Sequence, residues 1–304
     1  MSLLTIVQRF AEEVNVNSPS TVMGTTDPQI KQIKALLQKE GDDLSRRGDW
    51  EVLVNEAIHT TGINGTTTLT ITDGLIDNTA TFTDGLIQVG NTVTNKDTSV
   101  TSTVTSINND TYLSLADDIF QGLSAGENYG INVEDQGSID SIATNGFNYI
   151  RNDTIWDRSL RLPVYVIDAT DWQQVKAVAV TGPRYQARLR GGNLLVNPIP
   201  TAGNTWAFEY VTKNWMTDST GATNKQYFTN DGDLPLLPET VLEAGLQWRW
   251  KKQKGLEYSE DFRTYEIMVA DALSRNGLKR AVNLSQTNAT PQPKIYTPEG
   301  NWNL

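Results

Sequence analysis

Three pairs of neighbouring carboxylates and a single histidine are the residues of this chain with the most capacity for chemistry. The pairs are Asp42/Asp43, Asp117/Asp118 and Asp231/Asp233. Two carboxyls a few ångströms apart can divide acid, base and nucleophile roles in glycoside hydrolysis. Acids this close in sequence are far more often solvated turn or helix-surface residues, and that reading is preferred for all three pairs. His59 is the only histidine. A metal site built on two imidazoles is therefore excluded, and a Ser-His-Asp hydrolase has little to work with. Lying between Ile58 and two threonines in a predicted strand, His59 is expected at a surface or an edge. Asn230-Asp231-Gly232-Asp233 has the start of a Ca²⁺ loop without its downstream ligands or closing glutamate, so it reads as a turn. The chain has no cysteine, hence no thiolate nucleophile, no disulfide and no Cys-based zinc site. No catalytic residue, cofactor or metal site is assigned.

Basic residues gather at Arg184, Arg188 and Arg190 in YQARLR, and at Arg249, Lys251, Lys252 and Lys254 in WRWKKQK. Affinity for nucleic acid comes from neutralising phosphates with Lys and Arg, yet this chain carries a formal net charge of −11. The lysine run suits the negative end of a helix dipole. For Arg184, Arg188 and Arg190 a subunit interface is expected, because Arg is a favoured interface anchor.

The elements that must position these residues fall into two textures. Ser2 and Asp27 read as N-caps of two helices whose stripes are Leu3, Ile6, Val7, Phe10, Val14 and Ile30, Ile33, Leu37, Leu44. Two more helices close the chain, from Pro238 to Lys254 and from Ser259 to Asn276. Their expected inward residues include Val241, Leu242, Leu246 and Trp250, then Phe262, Tyr265, Val269 and Leu273. Residues 62–133 differ from both flanks. They are rich in Thr, Asn and Gly, hold eight acids against the single base Lys96, and alternate apolar with polar. Val89, Val93, Val100, Val104, Ile107, Leu113 and Leu115 are expected inward, on five or six short strands. The fold class expected is α+β: a discontinuous helical bundle from the N- and C-terminal helices, a central β region, and a small all-β inserted domain. The core is drawn at 1–61 and 134–284, the inserted barrel or sandwich at 62–133, and an extended C-terminal arm at 285–304.

No stretch approaches the roughly 18–20 apolar residues that span a bilayer. The opening MSLLTIVQRFAEEV carries acids too early for a signal peptide, so synthesis and folding in a cytoplasm are expected, with no membrane partner.

Several stretches, taken in order, resemble one family. They are TIVQRFAEEVNVNSPSTVMGTTDPQIKQIKALLQKEGDDLSRRGDWEVL, NDTIWDRSLRLPVY, YQARLRGGNLLVNPIPTAGNTWAFEYVTKNW and LLPETVLEAGLQWRWKKQKGLEYSEDFRTYEIMVADALSRNGLKR. Together they resemble the head-to-tail adaptors (connectors, or tail accessory factors) of tailed bacteriophages, short-tailed type. The compact members of that family lack 62–133, which resembles small β modules grafted into phage structural proteins. The resemblance implies a virion protein at the head-tail interface, forming a ring of about twelve subunits beneath the portal protein. Such a ring extends the DNA channel, lets double-stranded DNA pass without specific binding, and offers a platform to further tail or nozzle proteins. It also implies that the C-terminal arm docks on the portal, with Ile295, Tyr296 and Trp302 as anchors. Two rival readings stand beside it. One is a tail-associated cell-wall hydrolase using Asp117 and Asp118. The other is a host-attachment module, although the insert offers Tyr112 and Tyr129 and no Trp on which sugars could stack.

Overall fold

The computed structural model describes residues 1–120, 125–178 and 184–277. The Ser2 hydroxyl accepts from the Thr5 amide and caps α1 (Leu3–Glu13). Asp27 caps α2 (Pro28–Leu44) through the Gln29 amide at 2.8 Å, and Pro28 occupies the first turn, where no amide donor is missed. Leu3, Ile6, Val7 and Phe10 of α1 and Ile30, Ile33, Leu37 and Leu44 of α2 are buried, as their helical spacing predicts. A single 3₁₀ turn at Glu51–Leu53 then leads into β1 (Val54–Thr60).

From β1 the chain enters a separate sheet. β2 (Ile63–Thr66), β3 (Gly74–Ile76), β4 (Thr92–Asn95), β5 (Thr101–Asn109), β6 (Tyr112–Leu115) and β7 (Asn128–Ile131) lie in the order β2-β7-β4-β5-β6-β3, all antiparallel. Leu69, just past β2, bridges Ile76 on β3, and the Thr68 amide donates to the Ile76 carbonyl at 2.8 Å. The last strand thus meets the first, and the sheet closes into a small barrel with no long free edge. Val93, Val104, Leu113 and Leu115 fill it together with Leu75, Phe82, Phe120, Tyr129 and Ile131. Val89 and Val100 are exposed instead. Both lie outside the strands, where the period of two no longer governs which way a side chain points.

The chain then builds its largest sheet from β8 (Asp135–Ser138), β9 (Phe147–Ile150), β10 (Trp156–Asp157), β11 (Leu162–Val166), β12 (Tyr185–Arg190), β13 (Asn193–Asn197) and β14 (Thr205–Thr212). A one-turn helix α3 (Ile139–Ile142) follows β8, and α4 (Ala169–Val178) links β11 to β12. The order is β1-β14-β10-β11-β12-β13-β8, with β9 also on β14. β11 and β12 are parallel, which is why that connection needs a crossover helix. One face of the sheet buries Ala57, Val164, Ala187, Val196, Trp206, Phe208 and Tyr210 around a core of their own. A small sheet of β15 (Met216–Thr217), β16 (Asn224–Lys225) and β17 (Leu234–Pro235) carries the chain to α5 (Glu239–Gln253) and α6 (Ser259–Arg275). These two helices share a core with α1 and α2, into which Trp50, Trp215 and Phe228 are packed.

The expected fold class needs correction. Among the described residues seventeen strands stand against six α-helices. A helical bundle carrying a small β insert does not describe such a chain, which is a mixed α/β fold with mostly β content. Strand length is the physical reason for the misreading. β10, β15, β16 and β17 have two residues each, and β8 and β9 have four. Alternation needs a longer run to register, so within 134–238 the sequence shows the strands near 185–189, 193–197 and 205–211 but not the short ones that complete the principal sheet. Phe262 is a second correction: it is 37% exposed, whereas Tyr265 and Val269 are the residues α6 buries.

Candidate functional site

The feature that no core accounts for is the outer face of the principal sheet. Ile58 of β1, Ala207 of β14, Trp156 of β10 and Pro163 of β11 stand side by side in register. Ile58 is 59% exposed, Trp156 47%, and Tyr165, two residues along β11 from Pro163, 42%. Glu56 and Glu209 lie directly opposite one another on the same face. Two like charges so placed repel, and arginines compensate: Arg158 pairs with Glu56, and Arg151 reaches Glu209 at 3.4 Å and Glu51 at 3.0 Å. An apolar row is thus flanked by a charged rim.

Arg188 and Arg190 lie on that same face. On β12 they alternate with Tyr185, Ala187 and Leu189, which pack against the inner core. Gln186, of the same parity, is level with Tyr165 on the parallel neighbour. Arg184, just before the strand, and Arg190 are exposed, while Arg188 is half-buried opposite Leu195. Ile295, Tyr296 and Trp302 lie outside the described residues.

Of the three carboxylate pairs, Asp42/Asp43 and Asp231/Asp233 are engaged in holding the fold, whereas both side-chain oxygens of Asp118 are buried with no hydrogen-bond partner among the described residues. Asp42 accepts from the Trp215 indole at 2.9 Å and Asp43 from Arg249 at 2.5 Å. Asp231 accepts from the Thr21 hydroxyl at 2.5 Å and from the Val22 and Met23 amides at 3.0 and 2.7 Å, tying the α1–α2 link to residues 210 positions away. Burial opposes its ionisation, but those three bonds outweigh burial and hold the carboxyl below its ordinary value. Asp233 behaves alike, its burial outweighed by Lys225 at 2.7 Å and by the Thr229 and Asn230 amides. Asp117 is exposed and anchors Ser102, whose hydroxyl accepts from the Asp117 amide at 2.8 Å. His59 is half-buried 3.4 Å from the Gln136 side-chain oxygen; burial lowers its pKa, the Gln136 contact only partly opposing this. A neutral imidazole at that place supplies no fixed charge. Among the described residues no three His, Asp or Glu side chains gather as metal ligands.

The lysine run of α5 is likewise engaged. Lys251 bonds Asp261 at 2.7 Å, Lys252 lies over the Trp248 and Tyr258 rings, and Lys254 over Trp250. Sequence reasoning missed two things here. The first is the buried pair Glu40–Arg249 at 2.5 Å, which joins α2 to α5; an acid on an apolar stripe at Leu37, Glu40 and Leu44 was the available signal. The second is Trp156, an exposed aromatic between the buried Ile155 and Asp157. Its alternation was visible, but either parity could have been the inner one.

The chain matches no protein-family model, and no curated protein matches it at a significant level. Among the described residues no helix is long and apolar enough to cross a membrane.

Proposed function

We propose that this chain is a structural virion protein, a head-to-tail adaptor that assembles as a ring beneath the portal of a tailed bacteriophage. The observation that carries the reading is the outer sheet face. It combines exposed Ile58, Trp156 and Tyr165 with Arg188 and Arg190 and a rim of ion pairs, with the exposed Arg184 just before β12. Aromatic and arginine anchors inside a charged rim are the composition of a subunit contact. In a ring each copy would meet its neighbour through this face, and the portal would be engaged by the arm at 285–304. The net charge of −11 per chain suits a conduit, since a lumen of that sign repels a polyanion and does not trap it. Further tail or nozzle proteins would seat on the ring.

The test is electron microscopy of the purified protein alone and mixed with its portal. Rings that form on the portal and are absent without it support the reading. Failure of the full chain to bind any portal vertex, or clearing of bacterial cell wall in a zymogram, overturns it. Removal of residues 285–304 is expected to abolish portal binding and leave the melting temperature within about 2 °C of the full chain, because on this reading the arm serves the portal contact.

A further inference from the structure

Two unlike patches on the outer face of the principal sheet carry unmatched charge of opposite sign. The first is a hollow of about 380 Å³ beside the Trp156 ring, bounded by Glu56, Asp153, Arg158 and Glu209. Arg158 pairs with Glu56, while Arg151 is divided between Glu209 at 3.4 Å and Glu51 at 3.0 Å. Asp153 is exposed and forms no ion pair among the described residues. Four acids in and beside the hollow thus share two cations, which leaves two negative charges in excess. The second patch is the outward row of β12. Arg188 is half-buried and Arg190 exposed, and neither guanidinium pairs with a carboxylate or donates a hydrogen bond among the described residues. A guanidinium that is partly buried and unpaired loses hydration without return.

The two patches do not face the same way. β1 and β8, the ends of the strand order, return to one another: the Gln136 side-chain oxygen of β8 lies 3.4 Å from the His59 ring of β1 and accepts from the Gly62 amide at 2.8 Å. Ala57 of β1 and Ile139, just after β8, belong to one core. The sheet is therefore curled round that core, and its outer face turns with each strand. β10 and β12 stand two places apart on a path of seven strands, about a quarter of a turn. The arginines of one chain thus point away from its own hollow, and neither is among the residues that line it.

We infer that the Trp156 hollow is the acceptor for Arg188 and Arg190 of a second copy of this chain. The class of occupant follows from the lining. An exposed indole bordered by surplus carboxylates suits a guanidinium, which stacks on the ring while its fork meets an acid. A second copy is the source because the chain itself supplies the matching cations, unpaired and in the number the hollow lacks. Acceptor and donor lie on different sides of the subunit, so each copy receives one neighbour and is received by another. Such a head-to-tail contact closes into a ring when the rotation per step permits, whereas a patch matched to itself stops at a dimer. The contact rests on the reading of the chain as a ring-forming adaptor, and it gives that ring's interface two named halves: β1, β14 and β10 on one copy, β12 on the next.

Glu209 and Arg190 are both exposed, so reversing either charge tests the pairing without removing a core contact. Full-length chains are titrated onto purified portal and rings are counted by electron microscopy, with the melting temperature as the check on folding. Glu209→Lys, Arg190→Glu and Trp156→Ala are each expected to need at least about tenfold more protein than the unmodified chain to form rings. The chain carrying both Glu209→Lys and Arg190→Glu is expected to recover to within about threefold, because opposite charges again face one another. Should Glu209→Lys prove unstable, Asp153→Asn removes a charge whose side chain bonds nothing among the described residues, and is expected to weaken assembly at least about threefold. Rings that form equally well in the single variants overturn the contact and leave the adaptor reading standing. A double variant no better than the worse single means that the two residues do not meet, and overturns it as well. Assembly of the unmodified chain that stops at two copies overturns the head-to-tail arrangement. If the unmodified chain forms no ring on its portal, the adaptor reading falls and the contact falls with it, so this control tells the two failures apart.

Discussion

The Glu40 carboxylate of α2 occupies the space where a side chain would stand on Gly245 of α5. A Cβ built on Gly245 would fall inside the van der Waals radius of the Glu40 carboxyl carbon. The glycine is therefore the condition for the buried pair between Glu40 and Arg249. Gly245→Ala is expected to lower stability by about 1–3 kcal/mol through overpacking, although alanine favours a helix. Urea unfolding measures it, and a stabilised variant would show that Glu40 moves freely. Gly41, which faces the Trp215 ring in the same way, should behave alike.

Arg249 bonds both Glu40 and Asp43 and lies over the Trp248 ring at 4.6 Å. Removing it strands a buried acid, so Arg249→Ala should cost about 3–5 kcal/mol. Glu40→Leu combined with Arg249→Met should recover most of that loss, because neither partner is then left charged without the other. A double variant as unstable as the single would mean that Asp43 and the ring contact dominate.

The helices were legible in the sequence because their signals are local and repeated. Ser2 and Asp27 cap the helices they were expected to cap, and the stripes of α1 and α2 are buried save for Val14, which is half-buried at the C-cap of α1. The longer strands of the principal sheet, near 54–60, 185–190, 193–197 and 205–212, were legible, but their order was not, since it joins β1 to β14, strands some 150 residues apart, and such pairing leaves no periodic trace. The outer face was half legible. Arg184, Arg188 and Arg190 were singled out by charge, but the row of Ile58, Trp156 and Tyr165 exists only once four strands, β1, β14, β10 and β11, are set in register. Trp250 and Phe262 show the same limit within helices. Both were expected inward, yet Trp250 is 6% exposed and Phe262 37%, because α6 is covered on one narrow stripe. Trp250→Ala should cost about 3–5 kcal/mol. Phe262→Ala should cost about 1 kcal/mol, chiefly its edge-on contact with Trp248 at 5.1 Å.

Asp231 gives a pH prediction whose sign is fixed. Its carboxyl titrates below the ordinary value of 3.8 in the folded chain, since the bonds from Thr21, Val22 and Met23 outweigh the cost of burial. The stability it contributes is complete above that ordinary value and is lost as pH falls through the lower folded one. Asp231→Asn should therefore lower the melting temperature at neutral pH. The gap to the unmodified chain should narrow only below about pH 4. A gap that closes between about pH 5 and 7 would assign the effect to another group.

The barrel at 62–133 should be removable. Ile63 and Ile131 are paired antiparallel, which sets the two ends of the insert about 5 Å apart. Its core is a cluster distinct from that of the principal sheet. Few bonds join the two bodies: the Gly62 amide to Gln136 at 2.8 Å and the Ala202 amide to Asn132 at 2.8 Å are the clearest. Gly62 itself belongs to the junction, with φ +70° and a would-be Cβ 2.6 Å from that of Ala202, so it must be kept. Replacing residues 63–132 with a short Gly/Ser linker closes a gap one strand wide at small entropic cost. The expected product is a folded chain with an unchanged helical core by circular dichroism and, on the adaptor reading, undiminished portal binding. Loss of cooperative unfolding would mean that the principal sheet depends on the barrel. Retained binding with loss of infectivity would instead give the barrel a partner in the tail or on the host.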